Sequence, residues 1–193
     1  MASARAANRQ KKYPPRAAVI SWILFAWAAE PFFTLITTFV FAPYFATHVA
    51  ADPARGQSLW GFATAAAGLI IALMSPVLGA IADASGRRKP WIAAFGGLLV
   101  IGACLLWFAR PGDVSAIPKL LVAYGVAIIG VEFAIVFNNS MMPTLVPPDR
   151  IGRLSGTGWA TGYIGGILSL ILVLGFFAAN PETGRTLFGF APL

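Results

Sequence analysis

The sequence carries little charge. Asp, Glu, Lys and Arg make up 11% of its 193 residues, against about 25% in soluble globular domains. The hydrophobic share is 58% and the mean hydropathy +0.76. A water-soluble globular domain is excluded, and the chain reads as an integral membrane protein. Cysteine occurs once, as Cys104 inside an apolar run. A disulfide framework and a paired-cysteine metal knuckle both need more than one. Histidine is also single. His48 lies near the outer end of an apolar run, an interfacial position rather than that of a ligand. The sequence has no Ser/His/Asp set, no metal-ligand cluster and no Walker loop. These absences point away from ATP hydrolysis and from an enzyme of any kind, and no cofactor or metal is expected. The net charge of +7 is no argument for a nucleic-acid partner, because membrane proteins gather Lys and Arg in cytoplasmic loops.

Long apolar runs are what the sequence does have. A helix crosses a bilayer with about 20 apolar residues. Five segments meet this, near 17–46, 58–82, 91–109, 120–138 and 155–178. The runs are continuous rather than alternating, so they predict helices and not barrel strands. The fold class is an all-α membrane protein with five transmembrane helices. The chain divides into a basic cytoplasmic tail (1–16), a five-helix membrane domain (17–178) and an extracytoplasmic tail (179–193). The basic start and the apolar run after it resemble a signal peptide. That run is far longer than the roughly 7–15 residues of a signal core, so it reads as an uncleaved first span.

Ten of the fourteen bases fall on one face: Arg5, Arg9, Lys11, Lys12, Arg16, Arg87, Arg88, Lys89, Arg150 and Arg153. The positive-inside rule places that face, and the N-terminus, in the cytoplasm. Tyr13, Trp22, Tyr44, Trp60, Trp91 and Trp107 fall near span ends, where amphipathic rings favour the interface. Short loops and an Ala-rich, Arg-biased composition suggest a bacterial inner (plasma) membrane.

The densest charge is in GAIADASGRRKPW, residues 79–91, between the second and third spans. Bases there hold the loop inside. Topology alone does not require Gly79, Asp83 and Gly86 at their spacing. Gly79 allows close helix approach. Asp83 suits a helix N-terminus or a basic partner. Gly86 permits a tight turn, and Arg87, Arg88 and Lys89 follow. This pattern resembles the loop signature of the major facilitator superfamily, which lies between the same two helices. The family has a base directly after the Asp, where Ala84 stands here.

Two further stretches are similar to the vacuolar effluxer branch of that superfamily. In SWILFAWAAEPFFTLITTFVFAPYFA (21–46), the run Thr38-Phe39-Val40-Phe41-Ala42-Pro43-Tyr44-Phe45 matches the branch's first helix. Trp27 and Ala28 also match, whereas Ala26 and Ala29 replace its Asp and Asn. FNNSMMPTLVPPDRIGRLSGTGWATGYIGG (137–166) resembles the end of the fourth helix, the next loop and the fifth helix. The resemblance implies a secondary transporter with alternating access, in which two six-helix halves enclose the solute near the midplane. On that comparison the chain corresponds to an incomplete N-terminal half, truncated before helix six.

Candidate solute or proton residues are Glu30, Glu132 and Asn138. A charge at the bilayer centre costs about 2.5–3.5 kcal/mol on insertion scales, so an acid there marks a functional site by default. Glu30 lies beside Pro31, one helical turn beyond the position of the branch's missing acid. It is either a relocated functional carboxyl or a neutral Glu bonded to a neighbouring helix. Glu132 lies in the fourth span, and no Lys or Arg lies deep in any span. A cation for it has to come from the missing half or from a solute, or else it stays protonated. Asn138 and Asn139 close the fourth span, where they can bond solute or another helix, or cap.

The fifth span carries Gly156, Gly158, Gly162, Gly165 and Gly166. The spacing in GTGWATG is wrong for a dinucleotide loop and no strand precedes it. Close helix packing through Gly158, Gly162, Gly165 and Gly166 is the expected role. GYIGG resembles the fifth-helix signature of antiporters, with Tyr163 in place of the usual Pro.

The expected function is the N-terminal portion of a proton-coupled secondary transporter for a small polar solute, with amino acids suggested by the resemblance. Its partners would be the lipid bilayer, a small-molecule solute, a proton or other coupling ion, and a missing second half or another membrane chain. The alternative is a truncated membrane protein that does not transport, or one that acts as an interaction partner. A channel is a third reading, though no ring of filter residues is visible.

Overall fold

The computed structural model describes residues 13–180 and 183–191, with the side chains of Asp83 and Ser85 outside the description. The described residues are mostly helical, with no strand among them. Five helices are long and apolar enough to cross a membrane. They form an all-α membrane protein with the five spans that the sequence predicts.

Helix α1 covers Arg16–Pro31. Pro31 cannot donate to the carbonyl one turn back. Beyond it the chain stays helical but widens into a π-helix over Phe32–Phe39, then a short helical turn Phe41–Tyr44 and a second π segment Phe45–Val49. The i→i+5 bonds Val40 N to Leu35 O (3.0 Å) and Ala50 N to Phe45 O (3.0 Å) close these segments. Helix α2 runs over Pro53–Ser85. Asp52 caps it, accepting from Arg55 N at 2.7 Å, and Pro53 sits where its missing N–H costs nothing. Its 33 residues rise about 50 Å, well beyond the roughly 30 Å hydrocarbon core. Gly86 ends it at φ 63°, a left-handed conformation open to glycine.

Helix α3 covers Lys89–Leu105, α4 Ile117–Asn139 and α5 Ile151–Phe176. Helix α4 is the centre of the structure. Leu120, Ala123, Tyr124, Ala127, Val131, Phe133, Ala134 and Phe137 are all buried. It packs against α3 and α2, while α1 packs mainly against α5. Between α3 and α4 the contact is backbone to backbone. A Cβ on Gly102 would lie 2.6 Å from Ala123 O, and one on Gly130 2.6 Å from Leu99 N. On the α2 side, Trp60 stacks on Tyr124 at 3.8 Å, and the Tyr124 hydroxyl pairs with Thr64 Oγ1 at 3.0 Å. Trp91, Phe95 and Phe137 form a second aromatic group beside α3.

Outward faces carry Phe62, Leu69, Leu73, Val100, Ile101, Ile167 and Leu172, all exposed and suited to lipid. The aromatic positions divide. Trp107 is 87% exposed, whereas Trp22 and Trp60 are buried in helix contacts, where their large rings fill the space between helices. After α5 the chain folds back. Leu187 N donates to Leu174 O at 3.0 Å, and Phe190 stacks on Phe176.

In the turn before α4, Asp113 Oδ1 accepts from Ser115 Oγ at 2.6 Å and Ser115 N at 3.1 Å. The Ser115 hydroxyl, with further help from backbone N–H groups and the Lys119 charge, holds the Asp113 carboxyl below its usual range. A lowered folded-state value favours the fold above the ordinary carboxylate range, and that contribution is lost as pH falls through the lowered value. Ser115→Ala is expected to move the Asp113 titration back up toward the ordinary value, as carboxyl-carbon NMR would record.

Candidate functional site

A cavity of about 260 Å³ opens between α1, α4 and α5. Helical periodicity assembles it. Trp22, Ala26, Ala29 and Phe33 recur along one face of the first span. Glu132, Ile135 and Asn139 repeat at i, i+3 and i+7 on α4, with Asn138 beside them. Ser155, Gly158, Trp159 and Gly162 repeat at i, i+3, i+4 and i+7 on α5. Glu30 and Phe25 complete the lining.

Glu30, Glu132 and Asn138 therefore share one cavity, although Glu30 and Glu132 stand 102 positions apart in the chain. Each carboxylate side chain is partly buried. Among the described residues no Lys, Arg or His lines this space. Asn138 also ties two helices together. Trp22 Nε1 donates to Asn138 O at 2.7 Å, and Asn138 Nδ2 reaches Trp22 O at 3.5 Å. Helix capping, one of the roles open to Asn138 from sequence, is not what its side chain does here. The neighbouring backbone of α1 comes within reach and takes the amide. Trp22→Phe removes the shorter bond and is expected to cost about 0.5–1.5 kcal/mol, read as a lower thermal midpoint of the purified protein.

Gly158, Gly162, Gly165 and Gly166 of α5 face the first span, whereas nothing lies within 4 Å of a Cβ placed on Gly156. A Cβ on Gly158 would meet the Trp22 ring at 2.7 Å, and one on Gly165 would meet Trp27 O at 2.9 Å. Trp27 O is the carbonyl that Pro31 cannot serve, so the two helices touch where the first ladder is interrupted. Next to Gly166 lie Thr34 and the Cγ of Glu30, and Glu30 Oε2 would lie 3.6 Å from a Cβ on Gly162. These two glycines leave the room that the Glu30 side chain occupies. Gly158 and Gly162 also form part of the cavity wall.

The loop residues lie elsewhere. Gly86, Arg87, Arg88 and Lys89 line a second cavity of about 390 Å³ with Pro90, Met141 and Thr144. Asp83 belongs to the last turn of α2, and its side chain lies outside the described residues. Gly79 was expected to bring two helices together. Among the described residues nothing lies within 4 Å of a Cβ placed there, because that face of α2 is turned away from the other four helices.

Sequence reasoning did not single out Phe25, Phe33, Trp159 or Ser155 as wall residues. Their helices are apolar nearly all round, so no polar stripe marks the inward face. The only signal was the i, i+3, i+4, i+7 recurrence of aromatic and small residues in the first and fifth spans.

Five long apolar helices, three of which enclose a largely apolar cavity holding two carboxyl groups, define a multi-pass integral membrane protein. A family model described as Major Facilitator Superfamily matches residues 3–170. An uncharacterized MFS-type transporter, YxiO of Bacillus subtilis (strain 168), is 31% identical over 168 residues, which cover 84% of this chain and 38% of that protein. No solved structure matches the chain. The chain belongs to the major facilitator superfamily, a family of membrane transporters, and it spans 38% of the length of the relative it matches.

Proposed function

We propose that this chain is the N-terminal portion of a proton-coupled secondary transporter of the vacuolar effluxer-like branch, moving a small polar solute by alternating access. The observation that carries this reading is the single cavity that unites Glu30 and Glu132 between α1, α4 and α5. An intramembrane acid has a cost that only pairing, protonation or function offsets. Two in one cavity, reached from helices far apart in sequence, suit a solute or proton path. Glu30 and Glu132 exchange the proton, and Asn138 holds α1 and α4 together beside it. Gly79, Asp83, Gly86, Arg87 and Arg88 form a latch on the cytoplasmic side, where the N-terminal tail also lies. The membrane is a bacterial inner membrane. A second half, from a longer protein or another chain, closes the cavity. Amino acids are among the solutes to try, as the resemblance suggests.

The test is reconstitution of the full-length protein in sealed vesicles with an internal pH dye. A solute gradient should drive proton movement that protein-free vesicles lack. Solute uptake indifferent to an imposed pH gradient would remove the proton from this reading.

A further inference from the structure

We propose that the cavity between α1, α4 and α5 recognises a positively charged group, a small organic ammonium, rather than a carboxylate or a neutral polar solute. The proposal rests on the reading of this cavity as the solute site and narrows the class of solute.

Three separate features point the same way. The first is charge. The ionisable groups of the wall are Glu30 and Glu132, and among the described residues no base accompanies them. A carboxylate in an apolar span needs a cation or a proton to offset its transfer cost. Among the described residues the wall offers an anion neutral donors but no Lys, Arg or His. The second is hydrogen-bond polarity. Asn138 is only 6% exposed. Its Nδ2 is directed to Trp22 O at 3.5 Å, which leaves its Oδ1 as an acceptor with no donor among the described residues. The wall's donors are neutral, on Asn139, Ser155 and Trp159, whereas its charged groups are the two carboxylates, and an ammonium supplies donors only. The third is the remaining surface. Trp22, Phe25, Phe33 and Trp159 line the same space. Aromatic faces attract cations, and most strongly where water is excluded.

Zwitterionic amino acids meet this wall only in part. Their ammonium has partners here, but their carboxylate faces Glu30 and Glu132. On these residues alone the charge of the solute, rather than the amino-acid backbone, is what the cavity selects.

Four probes of nearly one shape separate the cases: 2-phenylethylammonium, 3-phenylpropan-1-ol, 3-phenylpropanoate and phenylalanine. Each is titrated calorimetrically into the full-length protein in lipid nanodiscs, with Glu30→Gln and Glu132→Gln variants alongside. The ammonium is expected to bind about tenfold or more tighter than the alcohol, with the preference reduced about tenfold in at least one Gln variant. The propanoate should not saturate. Variants are compared only where their size-exclusion profile and thermal midpoint match the parent protein. Binding of the alcohol, the propanoate or phenylalanine as tight as the ammonium overturns the proposal. So does a preference that survives in both variants, or no saturable binding by any ammonium. Proton-coupled flux of a neutral solute would overturn this inference while leaving the transport reading intact. Ammonium binding with no solute-driven flux would keep the inference and remove the transport reading.

Discussion

Glu132→Gln is expected to abolish solute-driven proton movement while leaving the helices assembled. Glutamine has the same length and nearly the same volume, so the half-buried position on α4 keeps its packing. The substitution removes an ionisable group from a span in which a charge costs about 2.5–3.5 kcal/mol. The variant should therefore fold as well as the parent or better. What it cannot do is bind and release a proton at neutral pH. A vesicle assay reads the two properties apart. The amount and thermal midpoint of reconstituted protein report folding, and dye acidification reports coupling. Normal flux with unchanged pH dependence would exclude Glu132 from the proton path. Loss in Glu30→Gln with normal behaviour in Glu132→Gln would assign that path to Glu30. Loss in both would fit one shared cavity in which both carboxyl groups are needed.

The second large effect is structural. Gly102→Ala and Gly130→Ala should each destabilise the bundle by about 1–3 kcal/mol, the usual cost of overpacking. At Gly102 the added carbon would meet Ala123 O at 2.6 Å and Ala127 N at 2.7 Å. At Gly130 it would meet Leu99 N at 2.6 Å and Phe95 O at 2.7 Å. Backbone atoms cannot rotate aside as a side chain can, so α3 and α4 have to separate. Gly97→Ala is the matched control on α3, since nothing lies within 4 Å of the new carbon. Alanine is also the better helix former by about 1 kcal/mol, so that control should be neutral or stabilising. Thermal unfolding of the three variants in one detergent checks the ranking. A control as damaged as Gly102→Ala would show that propensity or insertion, not close packing, governs these positions.

The candidate acids were legible early because charge is scarce in this chain. In spans nearly free of Asp, Glu, Lys and Arg, Glu30 and Glu132 stand out against a uniform background. The turn at Gly86 was legible too. A short basic loop between two apolar runs needs a residue free to adopt positive φ, and Gly86 has φ 63°. Trp22 was harder. Near the end of an apolar run an indole reads as interfacial, yet here its N–H is directed to Asn138 O on another helix. Nothing within residues 16–31 encodes that partner, 116 positions away. The π segments after Pro31 were hidden for a related reason. Proline announces an interruption, but whether the chain kinks, breaks or widens depends on what packs against the freed carbonyl.

The sequence by itself determined the solvent, the number of crossings and the family. Those follow from summed apolar length, from charge scarcity and from a loop motif whose meaning is local in the chain. Tertiary structure alone decided which face of each helix is inner. Spans that are apolar all round carry no amphipathic stripe to tell lipid from protein, because in a bilayer both are equally apolar. The inward faces are selected instead by backbone proximity. Glycines on α3, α4 and α5 let neighbouring helices touch, and the same contacts bring Glu30, Glu132 and Asn138 to one cavity.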